Sequence, residues 1–242
     1  MKAEEIELVR LLSLRALRAV RKFYSGKEVA KMLGISESLL SRYVKGRVVP
    51  SFSTATNILM RLDNNKVLEE IISKNIRIDK EGVVNIYFLA FNTNIIELAA
   101  YRAYKYFGDK KVNVVLTAAA NGLPLATLVS YLLSSRLAVA KKEPDPSVLH
   151  HLEARVRRGS PPAISFIYLP KFVMRQGDRV LIVDDLLQSG KTLQALVSFC
   201  RKSGAQIIGI FALIALGREW EKSVPQGVDV KIVWRVEDKN YI

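Results

Sequence analysis

The sequence predicts an α/β protein built in two parts, an all-helical N-terminal domain over residues 1–74 and an α/β domain with a mainly parallel sheet over residues 83–242. Three observations predict it. Apolar side chains recur at helical spacing, with capping residues between the segments, as far as Ile72. The stretch NIRIDKEG, residues 75–82, then breaks this pattern. After it, short apolar runs alternate with helical segments, and strands that are covered on both faces lose the in-out alternation of an exposed sheet.

The composition of the 242-residue chain limits the classes of protein that it fits. The longest apolar run, Ile207 to Leu216, is shorter than the roughly 20 residues that a membrane helix needs, so we expect a cytoplasmic protein without a membrane segment. The single cysteine cannot form an intrachain disulfide, and we expect Cys200 to fill the core. We expect Trp220 and Trp234 to be packing or dimer residues. The formal net charge of +14 suits a nucleic-acid partner or a phosphorylated ligand, and it also fits a merely solvated basic surface.

Periodicity and caps define the first N-terminal helices. Residues 4–24 (EEIELVRLLSLRALRAVRKFY) show the period of an amphipathic helix. Ser25 and Glu28 have the spacing of a capping box, which begins a second and short helix. Gly34 suits the positive φ at which such a helix ends.

A third helix follows directly. Ser36 is placed to cap a helix over residues 37–45, and helical spacing resumes from Thr54 to Ile72. A two-turn helix, a turn that contains glycine and a second capped helix are together typical of a helix-turn-helix.

The stretch EVAKMLGISESLLSRYVKGRVVPS, residues 28–51, resembles the DNA-binding helix-turn-helix of repressor families. The residues that this resemblance places at the major groove are Ser36, Glu37, Ser38, Ser41 and Arg42. Those that it places near DNA phosphates are Lys27, Lys45 and Arg47. The alternative is a three-helix module that only packs on a neighbouring domain, and in that case Arg42 has no function.

The second part contains strands and helices in alternation. In chain order its segments are VVNIYFLAF, a helical IIELAAYRAYKYF, VNVVLTAAANGLPLATLVSYLLSS, LAVAKK, ISFIYLP, RVLIVDDLLQSGKTLQALVSFCRKSGAQIIGIFALIAL and VDVKIVW. We interpret the short apolar runs among them as strands. In parallel sheets of this kind ligands bind beyond the carboxyl ends of the strands. The polar residues of VLIVDDLLQSGKT, residues 180–192, stand at such an end.

Residues 180–192 allow three interpretations. Gly190-Lys191-Thr192 matches the end of an ATP-binding P-loop, but that loop needs a glycine where this chain has Asp185. An ordinary strand end is the second interpretation. The third, which we favour, is a site for a ribose with a 5′-phosphate: Asp184 and Asp185 accept ribose hydroxyls or hold Mg²⁺, and the following turn binds the phosphate. The residues of that turn are Gln188, Ser189, Gly190, Lys191 and Thr192.

The same stretch resembles the signature of the type I phosphoribosyltransferase family, which is four apolar residues, two acidic residues and a Thr/Ser-Gly-x-Thr loop. The resemblance implies a Rossmann-like domain that binds phosphoribosyl pyrophosphate together with Mg²⁺, the metal being held at Asp184 and Asp185. It extends to LTAAANGLPLATL, residues 116–128, which is similar to the family's pyrophosphate loop, although Asn121 replaces a usual glycine. The diphosphate contacts that it implies are Ala119, Ala120, Asn121, Gly122, Lys141 and Lys142.

In that family a loop closes over the reacting centre, and residues 143–162 (EPDPSVLHHLEARVRRGSPP) correspond to it. Arg155, Arg157 and Arg158 are the basic residues that would serve such a loop. The segment does not align in detail with the catalytic loop of orotate or adenine enzymes, and no base-binding hood is recognisable. We therefore assign no catalytic residue.

The whole layout resembles archaeal phosphoribosyltransferase-like regulators with an N-terminal helix-turn-helix, and the bacterial purine repressors offer a looser parallel. The resemblance implies a homodimer that binds double-stranded DNA and senses phosphoribosyl pyrophosphate or a related ribose phosphate. Two such units would read half-sites about 34–36 Å apart, or a multiple of that distance. An active phosphoribosyltransferase of orotate or purine type with an accessory DNA-binding domain is an alternative. An RNA-binding attenuator of nucleotide genes is another.

Overall fold

The computed structural model describes residues 3–78, 84–158 and 163–236. The chain forms two compact units, one made of Met1–Asn75 with Asn92–Leu98 and the other of Ile76–Phe91 with Ala99–Ile242. Within the described ranges, no helix is both long enough and apolar enough to cross a membrane.

The first unit is helical. Its elements are α1 (Ala3–Val20), α2 (Gly26–Leu33), α3 (Glu37–Val44), α4 (Phe52–Asn64) and α5 (Val67–Asn75). Both halves of the predicted capping box are present, because the Ser25 hydroxyl accepts the N–H of Glu28 and the Glu28 carboxylate accepts the N–H of Ser25. Gly34 ends α2 at a φ of 62°, and Ser36 caps α3. The predicted helix-turn-helix geometry is confirmed.

The helical spacing from Thr54 to Ile72 is divided between α4 and α5. Ser51 caps α4 through the N–H of Thr54, and the chain then turns at Lys66, whose φ of 51° is left-handed. A helix cannot continue through this conformation. The apolar residues keep the same spacing across the break, so periodicity alone did not reveal it.

The second unit contains the α/β part. Its first elements are β1 (Arg77–Ile78), β2 (Val84–Asn85), α6 (Tyr87–Phe91) and α7 (Thr93–Phe107), the start of α7 being grouped with the first unit. The following elements are β3 (Val114–Ala118), α8 (Leu123–Leu132), β4 (Arg136–Ala140), β5 (His151–Arg158), β6 (Ala163–Pro170), β7 (Arg179–Leu187), α9 (Lys191–Ser203), β8 (Gln206–Leu216) and β9 (Asp229–Val236). Short 3-10 turns cover Lys171–Val173 and Glu219–Ser223.

Five of the described strands form one parallel sheet in the order β4-β3-β7-β8-β9. β3 is buried along its whole length, as are most residues of β7 and β8. Strands in the middle of a parallel sheet are covered on both faces, which is why these segments are apolar without alternation. The predicted α/β domain with a mainly parallel sheet is confirmed.

The run VVNIYFLAF is not the strand that its apolar residues predict. Of its residues that the structure describes, 84–91, only Val84–Asn85 is in a strand, and α6 follows at once. The side-chain oxygen of Asn85 accepts the N–H of Tyr87 at 3.3 Å, which favours the start of a helix there. The rings of Tyr87 and Phe91 lie 4.8 Å apart between centroids, a contact that the i,i+4 spacing of a helix allows.

The run ISFIYLP is a strand, but it does not join the parallel sheet. β6 pairs antiparallel with β5 in a separate two-stranded sheet. Much of the predicted closing loop, residues 143–162, is therefore strand, and the loop interpretation is wrong for β5. Residues 159–162 of that segment lie outside the described residues.

β5 carries the period-two pattern of a half-exposed strand. Ala154 and Val156 are buried, whereas Arg155 between them is exposed. The other two arginines predicted to serve the closing loop, Arg157 and Arg158, also belong to this strand, and their side chains fall outside the described part of the structure.

Candidate functional site

A crevice opens in the parallel sheet between β3 and β7. Successive strands run outward from here to β4 on one side and to β8 and β9 on the other. The pairing of β3 with β7 ends at Leu116 and Ile182, whereas each of the two strands stays paired with its outer neighbour further along. The carboxyl ends of β3 and β7 therefore separate. Ligands of open parallel sheets bind at such a topological switch point.

The two acidic residues of β7 lie in this crevice. Asp184 and Asp185 are 6% and 8% exposed, and Oδ1 of Asp184 accepts the N–H of Asp185 at 3.0 Å. Burial, followed by the charge of Asp185, raises the pKa of Asp184 well above its usual value. A buried carboxylate is costly unless hydrogen-bond donors or a cation compensate it. The pair is thus suited to a ligand that brings hydroxyl groups or a metal ion.

The loop after β7 encloses a small cavity at the start of α9. Gly190 stands immediately before this helix with a left-handed φ of 70°. The cavity, of about 160 Å³, is lined by Asp184 and by all five residues of the predicted phosphate loop, residues 188–192. The first N–H groups of a helix have no partner within it, and they attract anions. Backbone amides, two hydroxyl groups and the Lys191 ammonium around a space of this size suit a phosphate group.

The 3-10 turn Glu219–Ser223 packs behind the phosphate loop, a contact that the sequence analysis missed. A Cβ at Gly190 would lie 2.6 Å from Ser223 Oγ and 2.8 Å from Trp220 Cα. Glycine is therefore required here by this packing as well as by the backbone conformation. Trp220 is buried and donates its indole N–H to the carbonyl oxygen of Gly217 at 3.0 Å, so the packing role expected for it is confirmed.

The predicted diphosphate loop forms the opposite wall of the crevice. Around it lies a cavity of about 360 Å³, whose lining includes Ala119, Ala120, Asn121, Lys142, Asp184, Asp185 and Thr192. Asp184 and Thr192 also line the phosphate cavity, so the two cavities adjoin. Apart from Lys141, the residues predicted to bind ribose, phosphate and diphosphate thus converge on one crevice.

Gly122 brings the diphosphate loop against the acidic pair. A Cβ at this position would lie 2.7 Å from Thr117 Oγ1 and 2.9 Å from Asp184 Oδ1, so any larger residue would push the loop away. Asn121 replaces the family's usual glycine without backbone cost. It is not among the described non-glycine residues with positive φ, which are Lys66, Lys111 and Ser134.

Lys141 and Lys142 lie in different surroundings, although both were predicted to bind diphosphate. Lys142 lines the diphosphate cavity. The ammonium of Lys141 pairs with Asp145 at 3.1 Å, and the structure does not bring it to that cavity. Hydrogen bonds from Ser147, and then the Lys141 ammonium, lower the pKa of Asp145 to about 2. The Asp145 carboxylate therefore stays charged at neutral pH and holds Lys141.

The chemistry of the acidic pair fits part of the predicted Mg²⁺ site. In residues 3–78, 84–158 and 163–236, no group of three or more His, Cys, Asp or Glu side chains is placed to hold a metal ion. Carboxylate oxygens are hard ligands of the kind that Mg²⁺ takes, and this ion usually keeps several waters and binds substrate phosphates. Asp184 and Asp185 therefore fit an ion that arrives with a phosphorylated ligand, but not one held by protein side chains alone.

The helix-turn-helix presents a polar surface along α3. All predicted DNA contacts are exposed or half-exposed: Lys27, Ser36, Glu37, Ser38, Ser41, Arg42, Lys45 and Arg47. The hydroxyl of Ser36 is engaged as the helix cap, because it accepts the N–H of Leu39 at 3.3 Å. Among the described residues, none forms a hydrogen bond or ion pair with the guanidinium of Arg42. This side chain is free to contact a partner.

Arginines of α1 support α3 and the segment after it. Arg18 Nε donates to the carbonyl oxygen of Val44 at 2.9 Å, and Arg10 Nε donates to that of Pro50 at 2.9 Å. These partners are 26 and 40 residues apart in sequence, so helical periodicity could not reveal them. Part of the basic charge of this unit is therefore structural.

Comparison with known proteins finds two family matches. Residues 89–240 match the family model of the phosphoribosyl transferase domain, and residues 14–64 match that of a helix-turn-helix. The first range contains the crevice, and the second contains α3 with the eight predicted DNA contacts.

Individual relatives match each part of this layout. A hypoxanthine/guanine phosphoribosyltransferase of Methanosarcina acetivorans is 31% identical over 129 residues, 53% of this chain and 66% of that protein. A probable purine biosynthesis transcriptional regulator of Streptococcus pneumoniae is 24% identical over 162 residues, 61% of this chain and 55% of that protein. The chain thus spans about two thirds of the first relative and about half of the second. The crystal structure of adenine phosphoribosyltransferase from Rhodothermus marinus superposes with a TM-score of 0.62 at 20% identity, covering 70% of this chain and 98% of that one, which shows a shared fold.

Proposed function

The chain belongs to the phosphoribosyl transferase domain family, and from this premise we propose that it is a DNA-binding transcriptional regulator whose effector is phosphoribosyl pyrophosphate or a related ribose phosphate. One observation carries the proposal: a single chain joins a helix-turn-helix with a free Arg42 to a crevice with buried acidic residues and a phosphate loop. Relatives named as purine biosynthesis transcriptional regulators support it.

The crevice would bind such an effector in three parts. The 5′-phosphate would accept hydrogen bonds from the loop at the start of α9. The ribose hydroxyls would donate to Asp184 and Asp185, which would offset the cost of burying these carboxylates. The diphosphate would lie along the loop of residues 119–122, with Lys142 beside it.

A magnesium ion is part of this proposal. Asp184 and Asp185 would hold it from the protein side, and oxygens of the effector and water would complete its shell. When bound, the ion would neutralise part of the diphosphate charge. The same ion would remove the repulsion between the two carboxylates that helps to raise the pKa of Asp184.

On the DNA side, we propose a cytoplasmic homodimer that places two helix-turn-helix units on one operator. Each α3 would enter the major groove, with Arg42 at base edges and with Lys27, Lys45 and Arg47 near phosphates. Half-sites would then lie about 34–36 Å apart or a multiple of that distance. Effector binding would change DNA affinity, and allosteric coupling of the usual size gives about a 5- to 150-fold effect.

Calorimetry tests the sensor directly. Phosphoribosyl pyrophosphate with Mg²⁺ is titrated into the full chain, alone and with a duplex from upstream of its own gene. We expect binding whose affinity shifts when the duplex is present, and the direction of the shift gives the sign of the coupling. The sensor function would be rejected if phosphoribosyl pyrophosphate did not bind, or if its affinity were the same with and without the duplex.

A second candidate function is an active phosphoribosyltransferase, of purine or orotate type, with an accessory DNA-binding domain. The presence of acidic pair, phosphate loop and diphosphate loop in one crevice favours it, as does the relative named a hypoxanthine/guanine phosphoribosyltransferase. Incubation of the protein with phosphoribosyl pyrophosphate and hypoxanthine, guanine, adenine or orotate decides between the two. Nucleotide formation would establish an enzyme, whereas binding without turnover would support the sensor. Gel shifts on duplex DNA and on RNA test the attenuator alternative.

A further inference from the structure

A second cleft of the α/β unit lies between β5 and α9, apart from the crevice of the acidic pair. Its volume is about 730 Å³, within the range of small-molecule sites. Its polar lining consists of Glu153, Arg155, Lys191, Gln194, Ser198 and Lys202. The two residues from β5 are spaced by two and the four from α9 by three or four, so each set lies on one face of its own element.

The charges in this cleft suit an anion. Three cationic side chains stand against one carboxylate, that of Glu153. The ammonium of Lys202 donates to the carbonyl oxygen of Glu153 at 2.5 Å, which holds it across the cleft from its own helix. In the described parts of the chain, the side chains of Arg155 and Lys191 have no hydrogen-bond or ion-pair partner.

The cleft also has apolar lining residues. Ala154 of β5 and Ala195 of α9 line it, and both are buried. The amide of Gln194 and the hydroxyl of Ser198 can exchange hydrogen bonds with polar ring or sugar atoms. This combination differs from that of the crevice, which has buried carboxylates at its base.

We propose that the cleft is a second binding site, for a nucleoside phosphate whose phosphate lies among Arg155, Lys191 and Lys202. Lys191 also lines the phosphate cavity at the start of α9. Because Lys191 lines both sites, occupation of the cleft weakens ligand binding in the crevice. The cleft itself does not depend on the proposed function, whereas this antagonism rests on it.

The test uses the full chain with two probes, guanosine 5′-monophosphate and phosphoribosyl pyrophosphate with Mg²⁺. The apparent Kd of the second is measured by calorimetry at rising concentrations of the first. We expect it to increase by about 5-fold or more and then to reach a plateau, because a ligand at a separate site changes affinity only by the coupling factor. An apparent Kd that rises without limit means that the nucleotide competes at the crevice alone, and it overturns the proposal. An apparent Kd that does not rise, either with this nucleotide or with adenosine 5′-monophosphate, also overturns it.

Variants separate the cleft from the crevice. Arg155→Ala combined with Lys202→Ala should abolish the plateau effect and leave the affinity for phosphoribosyl pyrophosphate alone within about twofold. Arg201→Ala, an exposed arginine of α9 outside the cleft, is the matched control and should behave as the natural protein. A plateau that persists in the double variant overturns the assignment. If phosphoribosyl pyrophosphate does not bind at all, direct titration of the nucleotide into both proteins still tests the cleft, since only the natural protein should bind it there.

Discussion

The buried acidic pair predicts that a variant which disables the ligand site is more stable than the natural protein. Asp184 is 6% exposed, and its Oδ1 accepts the N–H of Asp185. An asparagine retains an oxygen for this bond and removes the buried charge. We therefore expect Asp184→Asn to stabilise the ligand-free protein while it abolishes the response to phosphoribosyl pyrophosphate.

The pH dependence gives this prediction its sign. Burial and the charge of Asp185 raise the pKa of Asp184 above the ordinary value of 3.8. An acid with a raised folded-state pKa contributes stability that is fully present below the ordinary pKa, and this contribution is lost as the pH rises through the folded-state value. The difference in the free energy of unfolding between Asp184→Asn and the natural protein should therefore be small in acid and should grow toward neutral pH. Single stabilising substitutions are commonly worth about 0.5–2 kcal/mol, and each kcal/mol raises the Tm of a chain of this size by about 2–4 °C.

Differential scanning calorimetry of the full chain between about pH 4 and pH 8 measures this effect. Asp178→Asn is the matched control, because Asp178 is also 6% exposed but pairs with Arg136 at 2.5 Å and accepts the N–H of Arg175 at 2.7 Å. An asparagine has one oxygen and keeps at most one of these bonds, so the loss of the charge and of the other bond should cost about 1 kcal/mol once the partial exposure of Arg136 is allowed for. The reasoning would be refuted if both variants were less stable than the natural protein at neutral pH. It would also be refuted if the stabilisation by Asp184→Asn did not change with pH.

Three further changes test other parts of the molecule. Arg42→Ala should weaken operator binding by about 1–3 kcal/mol and relax its sequence preference, as measured by fluorescence anisotropy with Arg201→Ala as control; an unchanged footprint and affinity would remove Arg42 from the reading surface. Gly190→Ala should destabilise the protein by about 1–2 kcal/mol through its left-handed φ alone, and by more because Trp220 lies behind it. Urea unfolding measures this loss of stability. An unchanged free energy of unfolding would show that the turn at residue 190 can accommodate a side chain. Ser25→Ala should cost about 0.5–2 kcal/mol, since it removes the capping box of α2, and unchanged denaturant unfolding would contradict that role.

Features that depend on a few adjacent residues were predicted correctly from the sequence. The capping box at Ser25, the left-handed Gly34 and the cap at Ser36 each depend on contacts within four residues, and all three are present. The buried strands of the parallel sheet could also be predicted, because strands that are buried on both faces consist of continuous apolar runs. The phosphate loop could be located for the same reason: its residues are contiguous.

Features that depend on distant residues were missed or misread. The run ISFIYLP becomes an antiparallel strand because β5 pairs with it, and its own residues do not show this partner. The contact of Trp220 with Gly190 joins segments 30 residues apart, and neither segment's sequence predicts it. Lys141 and Lys142, which the sequence analysis treated alike, differ in the structure because Lys141 pairs with Asp145 and Lys142 lines the diphosphate cavity.

The bonds that Arg10 and Arg18 make from α1 limit how this protein can respond to a ligand. Both fix backbone carbonyl groups, at the end of α3 and in the segment that follows it. The recognition helix cannot rotate or slide within its own unit without breaking them. We therefore expect the proposed effector to act on DNA binding through a displacement of the complete unit. We expect it to alter whether two half-sites are held at once, and to leave the base preference within each half-site unchanged.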